Sequence, residues 1–210
     1  MDTGDNQHLS ELRIVLMGHR RAGKSSSGNT ILGREVFDLK RSALCVSRHG
    51  KVADRHITVI EAPGWWRNIP AEESPEILKQ EILLSMSLCP PGPHVVLMLM
   101  LLFTYGDTLL DTSIEQHIKS EGKDLQWLLD KCGNRYHVLN NQNRSDDTQI
   151  KELLEKIEET VAQNNSCHFE LDRKFLQDMK EKRRAEEERA KERMKMIKKQ
   201  RENIRSQMSE

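Results

Sequence analysis

Apolar residues are gathered into a few short runs separated by polar stretches, and the spacing within each run predicts the element it forms. Leu12 to Met17 (LRIVLM) is compact and rich in branched residues, which suits a buried strand. Leu44 to Arg48, a charged turn from Gly50 to Arg55, and His56 to Ile60 predict a β-hairpin beside that strand. His94 to Thr104 (HVVLMLMLLFT) is an uninterrupted apolar stretch ended by Tyr105-Gly106-Asp107, and Tyr136 to Leu139 supplies a further strand. Helical spacing fills the intervals. Lys24 to Leu32 ends at a C-capping Gly33. Ala71 to Cys89 has Ile77, Leu78, Ile82, Leu83 and Met86 on one side, acidic residues Glu72, Glu73 and Glu76 in its first turn, and Pro90, Pro91 and Pro93 to stop it. Ser113 to Glu121 and Asp124 to Cys132 are shorter helices, and Asp146 to Ala162 carries Ile150, Leu153, Leu154, Ile157 and Val161 as a stripe that packs on the sheet.

Alternating strands and helices define an α/β class. The expected organisation is a disordered segment 1–10, an α/β domain 11–166 and a charged helical tail 167–210. From Phe169 onward Lys, Arg, Glu and Met dominate without Gly or Pro, favouring a long exposed helix with pairs such as Arg183/Glu187 and Glu187/Lys191. Met194, Ile197, Ile204 and Met208 are spaced as a seam, but Arg201 interrupts it, so a solvated helix, weak coiled-coil-like pairing and membrane-surface contact all stay open.

The 210 residues carry no formal net charge, which argues against a dedicated nucleic-acid binder. The tail holds 14 Lys or Arg against 10 Asp or Glu, so the body is correspondingly acidic. Cys45, Cys89, Cys132 and Cys167 are widely separated, and with a polar N-terminus they read as free thiols in a reducing cytoplasm. The longest apolar run falls well short of the roughly 20 residues a membrane-spanning helix needs.

The most informative stretch is Gly18-His19-Arg20-Arg21-Ala22-Gly23-Lys24-Ser25, with the GxxxxGK[ST] spacing of a phosphate-binding loop. Two glycines let successive backbone N–H groups converge on an anion, and the helix opening at Lys24, with Ser26 in its first turn, adds its dipole. Lys24 is expected to reach the β- and γ-phosphates and Ser25 to bind Mg²⁺. The second strand ends in Glu61-Ala62-Pro63-Gly64, where such proteins place Asp-x-x-Gly; Glu61 would serve the metal through a water and the Gly64 N–H the γ-phosphate. Between Arg34 and Gly50 no Thr is present to close over the metal, only Ser42 and Ser47. Trp65 and Trp66 follow Gly64, and neither indole can accept a proton from a nucleophilic water, so hydrolysis is expected to be slow or absent.

GHRRAGKSSSGNTILG, RHGKVADRHITVIEAPGWW, LLFTYGD and NRYHVLNN, in that order, resemble the immunity-associated nucleotide-binding GTPases (the GIMAP family), relatives of septins and of chloroplast import-receptor GTPases, over roughly 12–162. The resemblance implies a Ras-like three-layer α/β sandwich that binds GTP or GDP with Mg²⁺. It also implies guanine recognition through Thr104 and Asp107, with Asn140 near the base, and association of GTPase domains into homo- or hetero-oligomers. Roles in lymphocyte survival or at intracellular membranes are implied as well.

The sandwich is expected to be incomplete. A parallel strand pair needs a crossover of a dozen or more residues, and none separates the two strands merged in His94 to Thr104. The run would become one long strand, vacating a sheet position, or expel its first half. The functional readings are a slow GTPase or nucleotide-dependent assembly switch, a non-enzymatic interaction protein with a disabled site, and, disfavoured by a base-reading Asp107, an ATPase or kinase.

Overall fold

The computed structural model describes residues 9–39, 43–66, 69, 73–98, 102–104, 106, 112–143, 146–163 and 172–207. The expected disordered segment therefore lies outside the described residues through position 8, as do Ser42, Asp107, Cys167, Met208 and most of the 163–166 linker. The chain divides into two compact units, 1–170 and 171–210.

In the first unit the central strand is β1 (Glu11–Met17). Its loop leads into α1 (Lys24–Ile31), and Gly33 follows with φ +62°, the left-handed geometry that ends a helix. The hairpin comprises β2 (Val46–Val52) and β3 (Arg55–Glu61), paired antiparallel. Its turn is tighter than the charge pattern suggested. Gly50 lies within β2, and Ala53 and Asp54 make the reversal with φ of 47° and 61°, the positive values a two-residue hairpin turn requires.

β3 lies parallel to β1, and β4 (Val95–Met98) lies parallel on its other side, giving the order β2-β3-β1-β4. Leu12, Ile14 and Leu16 of β1 and Ile57 and Val59 of β3 face a core closed by Ile31 and by α5 (Asp147–Gln163), through Ile150, Leu153, Leu154, Ile157 and Val161. The opposite face carries Val15 and Ile60 against Cys89, with Met86 packed beside them. Helix, sheet and helix thus form the three-layer α/β sandwich.

The second helix departs from its sequence reading. α2 spans Glu76–Ser85, continued by a 3-10 turn Met86–Leu88. Pro75 sets the start: its fixed φ suits the entry to a helix, and Glu73 lies upstream of it. The buried residues are Leu78, Gln80, Glu81, Leu84 and Ser85, whereas Ile77 is exposed.

The run His94 to Thr104 follows neither expected course. It supplies two strands in different sheets: β4 stays beside β1, and β5 (Leu102–Thr104) pairs parallel with β6 (His137–Leu139) as a separate two-stranded sheet. Three residues separate β4 from β5, too few for a covering helix. Leu102 and Leu139 still bury their side chains in the common core with Leu154, so burial outweighs continuity of the backbone ladder. α3 (Ile114–Ser120) begins at a capping box between Ser113 and Gln116, and α4 (Lys123–Lys131) follows, burying Leu129 and leaving Trp127 exposed.

The second unit is α6 (Arg173–Gln207), 35 residues long. Asp172 Oδ1 accepts the Phe175 N–H at 2.9 Å near its start, and Arg183 pairs with Glu187 at 3.0 Å. Met194, Ile197 and Ile204 are exposed along it.

Candidate functional site

The loop between β1 and α1 gathers the candidate phosphate-binding residues at the C-terminal end of the sheet. Arg21 has φ +64° and Gly23 φ +82°, and this turning of successive peptide planes forms a concave nest of N–H groups. The first-turn N–H groups of α1 at Lys24, Ser25 and Ser26 have no intrahelical acceptor and open toward the same space. Lys24 is buried and folds back on the loop, its Nζ donating to the carbonyls of His19 at 3.0 Å and Gly18 at 3.2 Å. Burial holds its pKa below the ordinary lysine value, partly offset by the Glu61 charge, with Arg20 adding to the depression.

β3 delivers Glu61 opposite the helix start, where Ser25 Oγ donates to Glu61 Oε1 at 2.8 Å. Desolvation raises the Glu61 pKa, against the opposing influence of the Ser25 hydrogen bond and the Lys24 charge. A serine hydroxyl and a carboxylate are the hard oxygen donors that Mg²⁺ takes, so Ser25 would hold the ion directly and Glu61 through a water. The donor set therefore fits the ion, with other positions left to phosphate and water. Among the described residues no group of three or more His, Cys, Asp or Glu side chains is arranged to hold a metal. Ser47 sits in β2, with a buried hydroxyl that has no hydrogen-bond partner among the described residues.

Gly64 is in close contact with the loop. A Cβ there would stand 2.7 Å from Lys24 Nζ, 2.8 Å from Arg20 N and 2.9 Å from the His19 carbonyl carbon, so only glycine permits this approach. The segment is fastened by Arg20: its backbone N–H donates to the Trp65 carbonyl at 2.7 Å, its Nε to the Gly64 carbonyl at 3.1 Å, and its guanidinium lies 4.0 Å from the centre of the Trp66 ring.

On the other side, Thr104 lies against the loop, its Oγ1 and Cγ2 3.2 Å from the point a Gly23 Cβ would occupy. Asp107 is outside the described residues. Asn140 organises its own turn, Oδ1 accepting the N–H groups of Gln142 at 3.0 Å and Asn143 at 2.9 Å. Gln149 of α5 holds the same turn by accepting the Asn140 N–H and donating to the carbonyls of Asn140 and Asn143.

Two positioning residues escaped the motif reading. Asn29 of α1 accepts the N–H groups of Val36 and Phe37 at Oδ1 and donates from Nδ2 to the Phe37 carbonyl, fixing the segment that leaves the helix. Asn141, almost wholly buried, donates to Thr30 Oγ1 at 3.1 Å, and Thr30 donates to the Ser26 carbonyl at 3.0 Å. That chain ties the loop after β6 to the first turn of α1. Asn141 stands among polar neighbours, Asn140 and Gln142, so nothing in its local sequence marked it for burial.

Fold and site together define a three-layer α/β protein with a glycine-bounded loop at the end of its central strand. The AIG1 family model matches residues 12–102 and 98–194, and the chain belongs to the AIG1 family. The two matched segments meet at 98–102, where β4 passes to β5. The chain is 31% identical over 196 residues to GTPase IMAP family member 8 of Homo sapiens, covering 79% of this chain and 29% of that protein. It is 26% identical to Immune-associated nucleotide-binding protein 10 of Arabidopsis thaliana, covering 83% of this chain and 46% of that protein. The chain thus spans less than half the length of either relative. Among solved structures, an Aquifex aeolicus Era variant bound to GDP and aluminium fluoride aligns with a TM-score of 0.43 at 13% identity, over 70% of this chain and 57% of that one.

Proposed function

We propose that the chain binds guanine nucleotides and acts as a slow GTPase or nucleotide-dependent assembly switch in the cytoplasm. The convergence of Lys24, Ser25, Glu61 and Gly64 on one loop carries this reading. Backbone N–H groups from Arg21 to Ser26 cradle the phosphates, and Lys24 exchanges the Gly18 and His19 carbonyls for phosphate oxygens. Ser25, and Glu61 through a water, would hold Mg²⁺, which would supply charge neutralisation to the phosphates. Thr104, Asp107 and the Asn140 turn form the base side, with guanine selected by the Asp107 carboxylate. Trp65 stands where a water-orienting side chain would be required, which supports slow turnover. Oligomerisation through the α/β domain or α6, and peripheral contact with intracellular membranes, belong to the same proposal; among the described residues no helix is long and apolar enough to cross a membrane.

A second reading, an interaction protein with a disabled nucleotide site, is favoured by the three-residue passage from β4 to β5, which leaves the base-side strands in a separate sheet. Equilibrium binding of a fluorescent GDP analogue with Mg²⁺ to the purified chain and to Lys24→Ala separates the two. Saturable binding competed by GTP but not ATP, and lost in the variant, is the expected result. Folded wild-type protein that binds neither nucleotide supports the second reading.

A further inference from the structure

We propose that Arg20 and Trp66 form a latch across the phosphate loop that makes the chain favour nucleoside diphosphate over triphosphate. The inference rests on the nucleotide-binding reading and extends it to the terminal phosphate.

Arg20 makes three separate contacts with the segment after β3, through its backbone to Trp65, its Nε to Gly64 and its guanidinium face to Trp66. The contacts close the segment onto the side of the loop occupied by Lys24 Nζ, the group that meets the β- and γ-phosphates in a loop of this spacing. Gly64 is packed against Lys24 Nζ and the backbone of His19 and Arg20 with no room for a methyl group between them, and in the proposed latch a terminal phosphate reaching Lys24 displaces the 64–66 backbone from this contact. The Arg20 N–H, an anion donor in an open nest, is taken by the Trp65 carbonyl at 2.7 Å. A triphosphate must break these contacts, and a diphosphate, ending short of Lys24's outer side, leaves them in place.

Trp66 is 45% exposed, so its indole has little role in the core and its main described partner is the Arg20 guanidinium. An arginine stacked on an exposed aromatic face contributes a two- to fivefold bias, the size of a partly solvated cation–π contact. Holding the guanidinium over the indole also keeps a mobile cation away from the phosphates until the latch opens.

The test compares the dissociation constants of GDP and a non-hydrolysable GTP analogue for the full chain, Trp66→Ala and Trp66→Phe. Trp66→Ala is expected to shift the ratio about two- to fivefold toward the triphosphate, and Trp66→Phe, which keeps an aromatic face, to stay near wild type. Intrinsic tryptophan emission supplies a second readout: the triphosphate analogue changes it, GDP does not, and Trp66→Phe reduces the difference to the part contributed by Trp65 on the same segment. Unchanged ratios in Trp66→Ala with both nucleotides still bound would overturn the latch alone. Absence of binding to folded wild-type protein would overturn the nucleotide reading and the latch with it. If Trp66→Ala does not fold, the emission comparison of wild type with Trp66→Phe decides.

Discussion

Ser25 Oγ and Glu61 Oε1, 36 positions apart, meet at 2.8 Å beside the loop between β1 and α1. Glu61→Gln keeps a hydrogen-bond acceptor for Ser25 and removes the charge. The Mg²⁺-dependent part of nucleotide affinity is therefore expected to fall on the order of tenfold. Titrating a fluorescent GDP analogue with and without Mg²⁺ measures it, and an unchanged Mg²⁺ dependence would remove Glu61 from the metal site.

The same carboxylate predicts a pH dependence. Desolvation raises its folded pKa above the ordinary 4.5, so the folded chain binds more protons than the unfolded one between that value and the raised one. Its contribution to stability is present below pH 4.5 and is lost as pH rises through the folded pKa. Ligand-free Glu61→Gln is expected to be more stable than wild type at neutral pH by about 1 kcal/mol, a stability gained at the expense of the site. Urea unfolding of both proteins at acid and neutral pH reads the difference, which shrinks on acidification.

Arg55 of β3 and Glu158 of α5 form a bidentate pair, Nε to Oε1 at 2.8 Å and Nη2 to Oε2 at 3.0 Å, with side chains only 10% and 15% exposed. Glu158 Oε1 also accepts the Leu9 N–H at 3.1 Å, so one carboxylate ties the hairpin, α5 and the entry to β1. Arg55→Ala strands that charge and is expected to cost about 3 kcal/mol. The double variant Arg55→Met/Glu158→Leu recovers most of it, since two apolar groups leave no buried charge unpaired. Chemical denaturation of the wild type and both variants measures these effects.

Gly64→Ala forces a methyl group into the backbone of Arg20 and His19, which cannot turn aside as a flexible side chain can. The segment after β3 is pushed off the loop. With the segment already withdrawn, the expected result is a shift of the affinity ratio toward a triphosphate analogue, about two- to fivefold as for Trp66→Ala. Calorimetric titration with each nucleotide tests the asymmetry.

The small β5–β6 sheet predicts uneven local stability. Each strand has three residues and pairs outside the four-stranded sheet, whereas β1 is hydrogen-bonded on both sides. Amide hydrogen exchange is expected to be faster in β5 and β6 than in β1 and β3. Equal protection in both sheets would show that they open together.

Local order was legible in the sequence. The strand, loop and helix around Gly18 to Ser25, the hairpin and the apolar stripe of α5 follow from residue spacing, because periodicity and turn chemistry act within a few positions. α2 starts later than its acidic residues suggest, because Pro75 outweighs Glu73 in setting the first turn. Spacing also could not show that Ile77 faces solvent, since it reports a common side of a helix and not what covers it.

The amino-acid sequence by itself determined the order of elements, the spacing of the Gly18 to Ser25 loop and the absence of a crossover between β4 and β5. Only the tertiary structure decided that the run His94 to Thr104 divides between two sheets, that Asn141 reaches Thr30, that Arg55 pairs with Glu158, and that Arg20 lies over Trp66. These partners stand dozens of positions apart and pair according to which groups are buried together. A buried polar group must find its partner wherever the packed chain presents one, and local spacing carries no record of that choice.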